Sequence, residues 1–394
     1  MTQANRLLAH LSPDKIQPLV TKYRADFSAS KLHTAVFVKL FLYSWSFDRA
    51  ALSLRTIAEH STSDTFRELA DLAEDFSASK SGLSDRLAAI PAELFRELFE
   101  QVAHETLANL SPAKTKSPAV TKLLQQARIL DSTIITLSAK LLKDGYQIHE
   151  GQLSLKATMA IAGRSIPVKA LLYTEDTYSN ENKALPTVFN LAQQGIIYIF
   201  DRGIHKRQTY ADIVGSNNHF LTRCDAKNYH VIKTNQLPKK LATETLTVIS
   251  DEIIRFPKTQ DKTQTPFRLI ASVSKRDGAT LRFLTSLLDQ SVTDLTELYR
   301  CRWSIEIFFR FLKSELKLEQ LLSYSTNGIK VHIYLTLIAF LLTWVFKEEN
   351  NIKSFKRARE KLKLLLLDAL MGQVYEEGVR QGQTHQEAAV DDTS

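Results

Sequence analysis

The sequence predicts an α/β protein: a mixed sheet flanked by helices, preceded by an N-terminal all-helical domain and interrupted by an inserted β subdomain. Three observations carry this reading. From Met1 to about Leu110 the apolar spacing is helical almost throughout, from Gln126 to Phe200 it turns β-rich, and from Tyr299 to Lys317 nineteen residues pass without Pro or Gly. At 394 residues the chain is too long for one ordinary core, so two or three domains are expected.

Residues 1–110 read as the helical domain. Helices are expected near Lys31 to Ser44 and Ala50 to His60, followed by the polar break STSDT. The unit SASKSGLSDRLAAIP opens with small polar residues, so Ser81 or a neighbour suits an N-cap, while Leu83, Leu87 and Ile90 recur at helical spacing before Pro91. The pair resembles a helix-turn-helix, whose second helix would turn Lys80, Ser84, Asp85 and Arg86 toward bases. A plain helical bundle yields the same pattern. Residues 111–122, SPAKTKSPAVTK, have the composition of a linker.

Beyond the linker, QARILDSTIITL around Asp131, QLSLKATMAIA and PVKALLYT read as three strands. NKALPTVFNLAQQG reads as a helix closing at Gly195, and IIYIF as a fourth strand ending at Asp201. Three strands, a helix and another strand is the order of a ribonuclease-H-like core, in which the first and fourth strands are neighbours. Asp131 and Asp201 would then lie side by side. Residues 123–224 form the first part of this core, with HFLTRC as a fifth strand. Residues 225–290, with YHVIKT, LTVISDEIIRF, FRLIASVSK and LRFLTS, form the inserted β subdomain, because the 105 residues separating Asp201 from Glu306 exceed any single βα connection. Residues 291–349 return to the core with the Tyr299 to Lys317 helix and an apolar helix, Val331 to Phe346, expected to pack on the sheet. Residues 350–394 hold a basic amphipathic helix and a polar tail expected to be disordered.

Composition narrows the function. Lys and Arg number 51 against 43 Asp and Glu, a net charge of +8 that suits a polyanionic partner without proving one. Cys224 and Cys301 have no paired spacing, which argues against a disulfide framework or zinc site and fits a reducing cytoplasm. The start MTQANRLLAHLSPDK lacks the pattern of a secretory signal. The run from Val331 to Phe346 contains His332 and is shorter than the roughly 20 residues of a membrane span, so a buried core helix is expected.

The Tyr299 to Lys317 stretch carries the chemistry. At about 100° per residue, Tyr299, Arg302, Glu306 and Lys313 fall within an arc of roughly 60°, with Arg310 and Lys317 beside them. Ile305, Phe308, Phe309, Leu312 and Leu316 form the neighbouring apolar stripe. The spacing Tyr, two residues, Arg, three residues, Glu, six residues, Lys resembles the Y-R-E-K signature of DDE insertion-sequence transposases of the insertion-sequence-four type. ARILDST with Asp131 and IIYIFDRG with Asp201 are similar to that family's other acidic segments. The resemblance covers roughly Arg128 to Phe346.

The resemblance implies a transposase that cuts DNA at the ends of an insertion sequence and joins the freed end to target DNA. Asp131, Asp201 and Glu306 would be the catalytic, metal-binding residues, with Asp131 bridging two Mg²⁺ ions, Asp201 on one and Glu306 on the other; Mn²⁺ would substitute. Hard cations want oxygen ligands, and a metal pair suits in-line displacement on phosphorus. Tyr299, Arg302 and Lys313 would grip the transposon end. Arg202, in the D-R-G element, would contact DNA or pair with an acid, and Arg310 and Lys317 would extend the basic strip along phosphates or pair locally. The partners implied are double-stranded DNA, as inverted-repeat ends and as target, and a second copy of the chain in a homodimeric synaptic complex, with no membrane. Some relatives use a Trp in the β insertion to capture a flipped base, but Trp45, Trp303 and Trp344 all lie outside it, leaving Phe267, Phe283 or Tyr229 to stack. Two rivals remain: a ribonuclease-H-like nuclease without strand transfer, and a non-catalytic DNA-binding protein derived from a transposase. Retention of all three acids argues against the second.

Overall fold

The computed structural model describes residues 11–47, 52–109, 117–136, 154–163, 165–174, 178, 180–237, 241–316 and 322–365. The expected loop DGYQIHEG, residues 111–116 of the expected linker, Lys317 and the C-terminal tail lie outside the described residues. Among the described residues the chain divides into two compact units, one holding those up to Thr106 and from Leu316 on, the other those from Leu107 to Glu315.

In the first unit the N-terminal helices are Pro13–Tyr23, Thr34–Phe47, Leu54–His60, Asp64–Ala70, Lys80–Ala89 and Ala92–Ala108. Serines start three of them: the hydroxyls of Ser53, Ser63 and Ser79 accept the amides of Thr56, Phe66 and Gly82, satisfying N–H groups that have no partner within the helix. The cap before Leu83 is thus Ser79, two residues ahead of Ser81. Arg86, expected to face bases, is buried instead. Its guanidinium donates to the Ala25 carbonyl, to Asp26 at 2.7 Å and to the Thr34 hydroxyl, because it sits on the side of its helix that also buries Leu83 and Leu87.

The apolar helix Thr326–Glu349, expected to pack on the sheet, is grouped with the N-terminal helices in this same unit. The Asn327 side chain donates to the carbonyls of Leu87, Ala88 and Ile90 and accepts the Ala92 amide, clasping the junction of two N-terminal helices. Farther along, His332 meets Phe41 edge-on and Tyr334 lies against Phe99. This helix is long and apolar enough to cross a membrane, but 89% of its most apolar window is buried inside the protein, as a core helix requires. A last helix, residues 355–365, buries Ala358 and Leu362 with Phe346 and Ile352.

The second unit is built on one mixed sheet. Helix Pro118–Gln126, with Ser117 as its cap and Pro118 in its first turn, starts inside the expected linker and leads into β1 (Ala127–Thr136). There follow β2 (Ser154–Ala162), β3 (Ile166–Tyr173), β4 (Ile197–Phe200), β5 (His219–Arg223), β6 (His230–Thr234), β7 (Leu246–Arg255), β8 (Phe267–Ser274) and β9 (Thr280–Thr285). Their order is β3-β2-β1-β4-β5-β9-β8-β7-β6, nine strands in a single sheet. β1, β2 and β3 form an antiparallel meander, and β4 and β5 add parallel to β1. The strands expected as an inserted β subdomain extend this same sheet, since β9 pairs antiparallel with β5 through Leu221 and Thr285. Phe267 and Phe283, proposed to stack on bases, are buried core residues, 0% and 3% exposed, and Tyr229 packs partly buried against the same core.

Two helical expectations are also corrected. The helix expected to close at Gly195 is one turn, Glu181–Ala184, followed by a 3₁₀ turn, Leu185–Val188, that contains Pro186. Proline lacks the N–H needed to continue a helix, and Gly195, with φ of +75°, serves the turn into β4. The Tyr299 to Lys317 stretch is not one helix. Val292–Arg300 ends, Cys301 and Arg302 make a turn held by i to i−3 hydrogen bonds, and Trp303–Leu316 begins.

Candidate active site

The sheet register aligns the two aspartates. β1 and β4 pair in parallel up to Ile129 and Ile199, and Asp131 and Asp201 each lie two residues beyond that couple. Side chains alternate along a strand, so both acids extend from the same face as their isoleucines. Asp131 lies within its strand and not at its end, because β1 continues to pair with β2 as far as Thr136. Asp201 directly follows β4, where Thr222 on β5 donates its hydroxyl to the Asp201 carbonyl at 3.2 Å.

The Y-R-E residues converge on these acids across the break between their helices. Tyr299, 8% exposed and edge-on to Phe283, donates its hydroxyl to Asp201 Oδ1 at 3.2 Å. Burial, reinforced by the Asp201 charge, pushes this phenol upward, so it remains a donor at neutral pH. Arg302, also buried, donates through Nη2 to Glu306 Oε1 at 2.5 Å, and its Nη1 stands 4.0 Å from Asp131 Oδ2. Burial opposes the guanidinium charge, but Tyr299, Glu306 and Asp201 around it raise its pKa nonetheless. One cation therefore stands between two of the expected catalytic acids, and its Nε has no hydrogen-bond partner.

Burial pushes the Asp131 carboxyl up to about 6. The Ser132 amide, 2.8 Å from Oδ1, and Arg302 oppose the rise, while Glu181 and Glu306 add to it. Among the described residues no three Asp, Glu, His or Cys side chains are grouped closely enough to hold a metal ion. In this conformation Arg302 compensates the carboxylates.

The other expected contacts are dispersed. Lys313 and Arg310 are exposed on the Trp303–Leu316 helix. Arg202 is half exposed and lies 3.4 Å from Asp225, the local pairing that was one of its two readings. Gly203, beside it, owes its identity to close approach and not to an unusual turn: a Cβ there would come within 2.8 and 2.9 Å of Glu181 Cβ and Cγ.

Sequence reasoning missed Glu181, Lys156 and Ser132. Glu181 accepts Lys156 Nζ at 2.7 Å and the Ser132 hydroxyl at 3.2 Å. The local signals were faint: Ser132 follows Asp131 directly, and Asn180 caps the one-turn helix that begins with Glu181.

Comparison with known proteins gives the family of the chain. Residues 122–342, more than half of the chain, match the family model of the transposase DDE domain. The chain is 26% identical over 271 residues to the "Putative transposase y4zB" of Sinorhizobium fredii, covering 68% of this chain and 72% of that one. It is 28% identical over 224 residues to the "Putative transposase for insertion sequence element IS4SA" of a Synechocystis species, covering 54% and 58%. It is also 20% identical over 277 residues to the "Probable transposase for insertion sequence element IS5377" of Geobacillus stearothermophilus, covering 69% of each. The protein is thus an enzyme that acts on DNA. It belongs to the DDE transposase family, whose general activity is DNA cleavage and strand transfer and which generally uses divalent metal ions.

Proposed function

We propose that Asp131, Asp201 and Glu306 are the catalytic carboxylates of this transposase and that they hold two Mg²⁺ ions, for which Mn²⁺ substitutes. The observation that supports this most is the convergence of one tyrosine and one arginine on all three acids: Tyr299 on Asp201, and Arg302 on Glu306 and Asp131. The donor set fits a hard cation, being all oxygen, and Asp131 keeps its proton unusually well while Arg302 is the nearby compensating charge. When bound, the metal would supply activation of the attacking oxygen and stabilisation of the leaving one.

The chain's own residues do the rest. β1 to β5 would form a ribonuclease-H-like core that presents Asp131 and Asp201 on one face, and the Trp303–Leu316 helix brings Glu306 to them. Tyr299 orients Asp201 through its hydroxyl. Arg302 balances Asp131 and Glu306 before DNA arrives and, with Lys313, Arg310, Lys317 and Arg202, would hold backbone phosphates. The helices of residues 1–110 are assigned to recognition of the inverted-repeat ends. Synapsis of two ends calls for a homodimer, and the protein would work in the cytoplasm on the nucleoid.

The test is cleavage and strand transfer of a marked end into a plasmid in Mg²⁺. Asp131→Asn, Asp201→Asn and Glu306→Gln should each abolish both steps and leave end binding largely intact, a loss of several kcal/mol of transition-state stabilisation. Near-normal turnover in any one of them would remove that residue from the catalytic set, and cleavage without strand transfer would favour a nuclease.

A further inference from the structure

We propose that Glu181 is a positioning residue that locks the Asp131 and Asp201 carboxylates in register, with Lys156 holding it to that task and away from the metal ligands. The proposal rests on the reading of Asp131 and Asp201 as reacting groups. Three contacts carry it, each to a different part of the site. Lys156, on β2 and 9% exposed, places its ammonium 2.7 Å from Glu181 Oε1. A buried ammonium left without its carboxylate is costly, so this pair fixes the Glu181 side chain. The second carboxylate oxygen, Oε2, accepts the Ser132 hydroxyl at 3.2 Å, and the Ser132 backbone N–H in turn donates to Asp131 Oδ1 at 2.8 Å. Thr158, opposite Ser132 on β2, steadies the same hydroxyl at 3.0 Å.

The third contact reaches the other aspartate. Glu181 Cβ and Cγ lie where any side chain at position 203 would have to go, so the loop two residues after Asp201 rests directly on Glu181. The next residue of the same short helix tightens that hold: Asn182 Oδ1 accepts the backbone amides of His205 at 2.6 Å and Lys206 at 3.2 Å. One turn of helix thereby fastens strand β1 beside Asp131 to the loop leaving Asp201. Each Glu181 oxygen is already turned to a protein donor, Oε1 to Lys156 and Oε2 to Ser132. Such outer contacts commonly decide how well carboxylates are presented to a metal.

The experiment uses the full-length protein, with end cleavage as one readout and calorimetric binding of Mn²⁺ alone to the DNA-free protein as the other. Glu181→Ala should lower kcat about tenfold or more and weaken Mn²⁺ binding by a similar factor, with KM for the end DNA unchanged within about twofold. Glu181→Gln keeps both the shape against Gly203 and an oxygen for Ser132, so it should recover both readouts to within about threefold of the parent. Because it takes the carboxylate charge away from Lys156, the double variant Lys156→Met/Glu181→Gln is measured beside it and should recover equally. Parental kcat and Mn²⁺ affinity in Glu181→Ala, with Asp131→Asn inactive, would overturn this proposal and leave the catalytic assignment standing. An active Asp131→Asn would instead remove that assignment. A folded double variant as poor in Mn²⁺ binding as Glu181→Ala would make Glu181 a ligand and overturn the positioning role.

Discussion

Replacing Asp131 with Asn is expected to stabilise the metal-free protein while it abolishes cleavage. Burial lifts the Asp131 carboxyl from 3.8 to about 6; Ser132 and Arg302 oppose the rise, and Glu181 and Glu306 add to it. A carboxyl whose folded-state pKa lies above its unfolded value binds its proton more tightly in the native protein. Stability therefore falls as the pH rises from about 4 to about 6, and it stays lower above that window. A rise of this size corresponds to at most about 3 kcal/mol, at about 1.36 kcal/mol for each tenfold change in proton affinity. Solvent reaching the 29% exposed carboxylate reduces that figure. The Asn amide carries no charge and still offers an oxygen to the Ser132 amide. Urea unfolding in EDTA at pH 7.5 should show the variant more stable by about 1 to 3 kcal/mol. At pH 4, where the native carboxyl is protonated, the two curves should nearly coincide. Added Mg²⁺ should narrow or reverse the difference, because only the parent offers a carboxylate at this position. A variant that is less stable at pH 7.5, or equally favoured at both pH values, would refute the burial account of Asp131.

Three further outcomes are expected. Tyr299→Phe removes only the hydroxyl on Asp201, about 1 kcal/mol of hydrogen bond, so single-turnover cleavage should slow about fivefold with end binding unchanged; an unaltered rate would free Tyr299 from that role. Deleting residues 1–110 should yield an aggregating protein and not a soluble core, because the apolar Thr326–Glu349 helix loses the helices that cover it, and size-exclusion chromatography distinguishes the two. Arg310→Ala and Lys317→Ala should each lower the salt slope of end binding by about one and leave single-turnover cleavage much less affected than Glu306→Gln does; an unchanged slope would leave both as solvated surface.

Much of the catalytic unit was legible because its signals are local. β1, β4 and β5 announce themselves by apolar runs, and the Tyr, Arg, Glu spacing survives because a turn with i to i−3 hydrogen bonds keeps those side chains on one side. What was misread depends on pairing between distant segments. Nothing near Thr285 shows that β9 pairs with Leu221 on β5, so how the expected β subdomain joins the core sheet was not legible. Likewise the apolar pattern of Val331 to Phe346 demands a cover but does not say which. Asn327, whose side chain ties the helix to Leu87, Ala88 and Ile90, settles the partner through polar contacts that no periodicity records. Arg86 was misassigned for a related reason: its charge suggested solvent or DNA, while the compensating Asp26 lies sixty residues earlier.

The Y-R-E spacing itself takes on a different meaning once the contacts are known. Read along one straight helix, it is a row of groups facing a common ligand. In the folded chain each member first meets a charged group of the protein: Tyr299 meets Asp201, Arg302 meets Asp131 and Glu306, and Glu306 receives Arg302. Several carboxylates drawn together in a partly buried site repel one another, and a proton or a cation must relieve them. At neutral pH, above the Asp131 value of about 6, that relief falls to Arg302, whose own charge is favoured by the groups around it. A site compensated in this way is folded before it is loaded. Its cation is a side chain on a turn between two helices, and its carboxylates are held by the neighbours Ser132 and Tyr299. The spacing therefore serves the folded site itself, apart from the DNA contacts proposed for it. Removing Arg302 would expose the acids to one another even where no nucleic acid is present, which is why its loss should be felt in the free protein as well as in the complex.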